Sequence, residues 1–357
     1  MNLGQFFITG IEGTTLKEFE RNEIRDNQIG GVLLFKRNFE NVRQLCSLVN
    51  DIQNCRKEYP LFICVDQEGG RVQRFKDPFT VIPPMLDVGK LDSPKTVFEL
   101  HQLMAKELSA CGINLNLSPV CDVFSNPKND VIGDRSFSSD SKIVENLLVG
   151  AIRGHRVEGL LTCAKHFPGH GDTLEDTHLE FAVVKKSLKE LEEMEFIPFK
   201  KAIRSKLEFF MTSHVIAQCF DDKLPVSLSS KAHEYVREKL GYKKIILSDD
   251  MEMGAIVDNF SIEESTVLAF QAGTDILEYR TLDKTLESLE VLRSTYGNGT
   301  FKEDCFKDKE RRILDCKKQF IPVFNKLNPE EVARLFPFSE HLKFQKALLD
   351  KISQVRG

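Results

Sequence analysis

Short apolar runs alternate with longer amphipathic stretches along most of the chain. The apolar runs predict strands at Phe6–Ile11, Gly31–Phe35, Leu61–Val65, Ile113–Leu117, Gly159–Ala164, Glu208–Thr212, Lys244–Ser248 and Thr274–Glu278. Helical periodicity fills the intervals. It covers Thr15–Asp26 with Thr14 as N-cap, Asn41–Tyr59, a helix opened by Ser93-Pro94 and stopped at Gly112, then Ser141–Glu158, Ser187–Ser205, Ser229–Lys239 and Ile262–Ala272. After Leu282 the chain reads as mainly charged helix. Such a succession of strand-helix units is the period of a (β/α)8 barrel, and strands apolar throughout imply a parallel sheet covered on both faces. A doubly wound open sheet is the alternative, but no GxGxxG follows the first strand. The expected fold is therefore α/β: a single (β/α)8 TIM-type barrel over 1–282, some strands irregular, with a C-terminal helical extension over 283–357 packed on it.

Polar residues then fall into place. Asp66, Arg71, Asp122, Arg135, Lys165, His166, Asp176, His178, His214 and Asp249 all stand at or just after predicted strand ends. A barrel brings those ends to one face, so residues far apart in sequence converge there. The densest stretch is Lys165–His178, where a Pro and two Gly break regular structure behind a buried strand and ionisable groups crowd onto the loop.

Alternation along Ile245–Met251 aims Asp249 into the barrel mouth if Ile245 and Leu247 fill the barrel, and leaves Asp250 to cap the next helix. A carboxylate at the mouth can attack an electrophilic carbon or stabilise a cation. Asp176 two residues before His178 reads as a carboxylate–imidazole pair able to shuttle a proton, or equally as an exposed loop ion pair. His166 and His170, with acidic residues nearby, invite a metal reading, though Pro168 and the glycines argue against the helical turn that would put both imidazoles on one side. Lys165 and Arg135 suit hydroxyls, carboxylates or phosphates, or are surface charge; Asp66 before Gly69-Gly70 is a hydroxyl acceptor or a turn residue.

Composition narrows the partners. The net charge is -5 with signs mixed, so no basic stripe argues for nucleic acid and no polybasic helix for a membrane surface. Nine Cys without CxxC spacing read as buried free thiols in a reducing compartment. The start, Met1–Phe7, lacks the features of a signal peptide, and no apolar run is long enough to span a bilayer, so the cytoplasm is the expected location.

Four stretches carry a resemblance: Val65-Asp66-Gln67-Glu68-Gly69-Gly70-Arg71-Val72-Gln73-Arg74, Val131–Phe137, the Lys165–His178 loop and Ser248-Asp249-Asp250-Met251-Glu252-Met253. In matching order from about Phe6 to Asp275, they resemble the bacterial β-N-acetylglucosaminidases of glycoside hydrolase family 3, the NagZ type. The resemblance implies a retaining exo-glycosidase without metal or other cofactor. It implies Asp249 as nucleophile, His178 as general acid/base with Asp176 as its partner, and Asp66, Arg71, Arg135, Lys165 and His166 as sugar-binding residues. The implied substrate is terminal β-linked N-acetylglucosamine on cell-wall muropeptides recycled in the cytoplasm, with the Gly169 and Gly171 flanks letting His178 swing in. Thr177 stands where the family usually has Ser, and Glu278-Tyr279-Arg280 where a more apolar strand end is expected. The rival readings are a metal-dependent TIM-barrel hydrolase, a family 3 β-glucosidase and a non-catalytic sugar-binding barrel.

Overall fold

The computed structural model describes residues 1–175, 181–297, 299 and 303–356. Eight strands close into a barrel: β1 (Phe7–Gly10), β2 (Gly31–Leu34), β3 (Phe62–Val65), β4 (Leu115–Asn116), β5 (Leu161–Phe167), β6 (Phe209–Thr212), β7 (Ile245–Asp250) and β8 (Ile276–Tyr279). Each pairs in parallel with its sequence neighbours, and β8 returns to β1 through Phe7 opposite Leu277 and Ile8 opposite Glu278. The closed, all-parallel order is the (β/α)8 TIM-type barrel expected from the apolar runs, and it rules out the open sheet.

Local rules explain most of the helices. In α1 (Pro94–Ala110), Ser93 accepts the amide of Thr96 and Pro94 takes the first helical position, while Gly112 beyond the end adopts a φ of 77° that favours glycine. In α2 (Ile262–Ala272), Ser261 and Glu264 form a reciprocal capping box.

Several bounds differ from expectation. The first helix begins at Glu18, and Thr14 does not cap it. Ser187–Ser205 divides at Met194 into two helices, Leu188–Glu193 and Phe196–Arg204. The largest difference is β5, which runs on to Phe167, so Lys165 and His166 belong to the strand rather than the loop. Their polarity hides the strand's length, because both point into a polar cavity rather than into oil.

Inside the barrel, Phe62 of β3 and Phe209 of β6 meet edge-on with centroids 5.1 Å apart. Full burial of one such ring stabilises the fold by about 1.5–3 kcal/mol. The floor is closed from the C-terminal side. From α3 (Glu303–Phe320), Lys317 lies over the Phe62 ring and donates to the Gly30 carbonyl, and Lys309 donates to the Thr274 carbonyl. The helix α4 (Ser339–Arg356) is tied on by His341, whose Nδ1 lies 2.8 Å from Glu107 of α1. All nine Cys are unpaired and seven are buried.

At the foot of β8, fully buried Asp275 accepts from Arg237, from Arg312 of α3 and from the Ile246 amide. Removing a buried carboxylate strands its cations. Asp275→Ala should therefore cost about 3 kcal/mol in chemical denaturation, far more than an exposed carboxylate such as Glu263→Ala.

Candidate active site

The C-terminal ends of the strands enclose a cavity of about 230 Å³. Its walls include Asp66, Glu68, Arg74, Arg135, Lys165, His166, His170, Asp249 and Glu278, with Phe35 and Met211 as apolar contacts. This is the face on which barrels carry their chemistry.

Lys165 is the centre of the charge arrangement. Its side chain is 2% exposed, and the ammonium donates to Asp66 Oδ1 at 2.7 Å, with Glu68 Oε1 at 2.6 Å. Arg74 takes the other oxygen of Asp66 at 2.9 Å. Arg135 grips Glu68 with two parallel bonds of 2.8 Å each. Burial alone would raise the pKa of both carboxyls. The neighbouring Lys165, with Arg74 or Arg135, outweighs it and holds Asp66 well below the carboxylate range and Glu68 down at about 2. Burial would likewise strip the proton from Lys165, but Asp66 and Glu68 keep it charged and push its pKa up.

A second pair orients the imidazole. His166 Nδ1 lies 2.7 Å from Asp122 Oδ2, and His166 Nε2 lies 3.2 Å from Arg135. Arginine can only donate, so Nε2 accepts and Nδ1 carries the proton that Asp122 takes. The other oxygen of Asp122 accepts the His170 amide. Asp122 therefore fixes both the imidazole and the start of the next loop.

Asp249, near the end of β7, is half-buried at the mouth. Its Oδ1 accepts the Asp250 amide at 2.9 Å, and no described residue donates to Oδ2. Burial would raise its pKa, but His166, His214, the Asp250 amide and Lys165 lower it below the usual value. Behind it, His214 Nε2 donates to the Asp250 carbonyl and Nδ1 accepts from Ser227. Asp250 does not cap a helix as expected. It accepts the Glu252 amide, faces Arg280, and burial raises its pKa to about 6.

The sequence-predicted residues thus separate. Asp66, Arg135, Lys165, His166 and Asp249 share the cavity. Arg71 does not line it; its guanidinium holds Asp134 and the carbonyls of Asp130, Val131 and Ile132, bracing the loop that delivers Arg135. Asp176 and His178 lie outside the described residues. Gly169 and Gly171 stand where a side chain would not fit: a Cβ on Gly171 would sit 1.8 Å from the Val123 carbonyl oxygen, and one on Gly169 2.9 Å from Glu195. They allow close packing, which anchors the base of the loop. Sequence reasoning gave no role to Glu68, Arg74 or Glu278, and it placed Asp122 at a strand end without giving it one either. Glu68 was signalled only by its spacing of two from Asp66. Among the described residues no three His, Cys, Asp or Glu side chains cluster as metal ligands do. His166 and His170 each spend Nδ1 on Asp122 and Thr173 respectively.

Fold and cavity together define a barrel enzyme for a small polar substrate. Residues 2–316 match the model of the glycosyl hydrolase family 3 N terminal domain. The beta-hexosaminidase of Nitrosomonas eutropha is 37% identical over 301 residues, covering 81% of this chain and 85% of that protein. Among solved structures, the glycoside hydrolase family 3 beta-N-acetylglucosaminidase from Paenibacillus sp. str. FPU-7 superposes with a TM-score of 0.91 at 29% identity, covering 97% of this chain and 67% of that one. Native NagZ from Neisseria gonorrhoeae gives 0.80 at 31% identity and covers 97% of each chain. The chain belongs to glycosyl hydrolase family 3 and is a glycoside hydrolase.

The depressed pKa of Glu68 gives a signed pH dependence. Its stabilisation is complete above about 4.5, the ordinary Glu value, and is lost as pH falls through about 2. Glu68→Gln should melt well below wild type at pH 7, and thermal scans should show the gap narrowing from pH 4.5 downward.

Proposed function

We propose that the protein is a retaining exo-glycosidase that hydrolyses terminal β-linked N-acetylglucosamine, with Asp249 as nucleophile and the His178/Asp176 pair as general acid/base. The observation that carries this reading is the Asp249 carboxylate at the barrel mouth, ionised and with Oδ2 undonated among the described residues. In the first step Oδ2 bonds the anomeric carbon while the glycosidic bond breaks and its oxygen takes a proton from His178. In the second, His178 takes a proton from water, the water oxygen bonds the anomeric carbon, and Asp249 leaves as carboxylate. Asp66, Arg135, Lys165 and His166 offer fixed donors and acceptors for the sugar hydroxyls. Arg71 acts at one remove, through the loop.

The substrate reading is supported by relatives named beta-hexosaminidase and by a similar structure, NagZ from Neisseria gonorrhoeae, solved in complex with N-trifluoroacetyl-D-glucosamine. The muropeptide source of the sugar, its place in peptidoglycan recycling and the cytoplasmic location extend the same resemblance. No helix among the described residues is long and apolar enough to cross a membrane.

Asp249→Ala should abolish turnover, lowering kcat on an aryl β-N-acetylglucosaminide by about 10⁴–10⁶-fold, the scale seen when a member of a covalent catalytic set is removed. His178→Ala should slow a natural disaccharide far more than an activated aryl glycoside, because only the poor leaving group needs the proton. Equal losses on both substrates would remove His178 from the role of acid.

A chelator should leave activity intact, and aryl β-N-acetylglucosaminide should be preferred to aryl β-glucoside. Loss of activity on chelation that added divalent metal restores would favour the metal-dependent hydrolase, and preference for the glucoside would favour the β-glucosidase.

A further inference from the structure

Glu278 stands near the end of the last barrel strand, where an apolar residue was expected. Alternation along β8 turns Tyr279 outward, its hydroxyl 3.4 Å from Thr266, and Glu278 inward to the cavity. The side chain is 4% exposed, and its buried Oε2 has no hydrogen-bond partner among the described residues. The backbone is pinned on both sides: the Glu278 amide donates to the Ser248 hydroxyl oxygen, and its carbonyl accepts the Met251 amide. A polar atom buried without a partner is costly unless something else completes it.

We propose that Glu278 is a substrate-binding residue, its carboxyl holding one hydroxyl of the terminal sugar from the cavity floor and making the site select for that hydroxyl. The inference rests on the glycosidase reading above. Around Glu278 stand Asp66, Asp249 and Asp250, with Lys165 as the opposing charge. Burial first, then those three carboxyls, push its pKa well above the usual value and favour the protonated form. A carboxylic acid both donates and accepts, which matches a hydroxyl, whereas a further carboxylate beside Asp249 would oppose the nucleophile's charge. Burial and neighbouring charge thus push the two carboxyls in opposite directions, Asp249 down, to react, and Glu278 up, to recognise.

The test measures kcat and KM for wild type, Glu278→Gln and Glu278→Leu on an aryl β-N-acetylglucosaminide and on counterparts each lacking one ring hydroxyl. Wild type should reject one counterpart by about 10- to 100-fold in kcat/KM, the size of one buried hydrogen bond. Glu278→Gln, which still donates and accepts, should keep that preference. Glu278→Leu should lose a similar factor on the parent and lose nothing further on that counterpart. Should the Leu variant not fold, Glu278→Asp withdraws the same group by one methylene and must lose the same preference. A uniform loss across all counterparts, a preference that survives Leu or Asp, or a loss in Gln equal to that in Leu would overturn the proposal. Wild-type turnover without a hydroxyl preference overturns it alone; wild-type inactivity on every N-acetylglucosaminide overturns the glycosidase reading with it.

Discussion

An ammonium group taken out of water has to be matched by charge, and much of the barrel mouth is arranged to match one. Lys165 is buried between Asp66 and Glu68, and those two carboxylates are in turn held by Arg74 and Arg135. The members come from three parts of the chain, Asp66, Glu68 and Arg74 just after β3, Arg135, and Lys165 of β5, so the network forms only when the barrel closes. Removing a single member would leave an uncompensated buried charge. The same network orders the cavity, because it spends the strongest charges on one another in fixed positions and leaves Asp249, between His166 and His214, as an ionised carboxylate with one oxygen that no described residue donates to.

Positioning works outward from that core. Asp122 sets the tautomer of His166 and accepts the His170 amide, so one side chain ties the strand end to the start of the following loop. Arg71 braces the segment that carries Arg135. Gly171 lets the loop lie against the Val123 carbonyl. Asp249 and the polar side chains around it therefore sit in a well-braced frame, which is what a transition state of fixed geometry requires.

The barrel was legible because buried parallel strands and amphipathic helices differ in period, and eight repetitions outweigh errors at single boundaries. The length of β5 was not legible: Lys165 and His166 look like loop residues until their partners are known. The site was legible to the extent that strand ends share a face, which gathered Asp66, Arg135, Lys165, His166 and Asp249. Glu68 escaped because its chemistry comes from Arg135, 67 residues away, and the role of Asp122 comes from His166, 44 residues away. Glu278 was noticed only as a departure from an apolar strand end; its meaning depends on three carboxyls from other strands. Arg71 shows the converse, a motif residue at a strand end whose side chain is spent on backbone carbonyls.

The central claim is that the carboxylate at the end of β7 forms and breaks a bond to the sugar. A slow fluorinated N-acetylglucosaminyl donor, quenched during turnover and followed by peptide mass spectrometry, addresses it directly. The account predicts one added glycosyl unit on the peptide that contains Asp249, absent in Asp249→Ala. A glycosyl unit on the peptide that contains Glu278, or turnover of the donor with no adduct on any carboxylate, would contradict it.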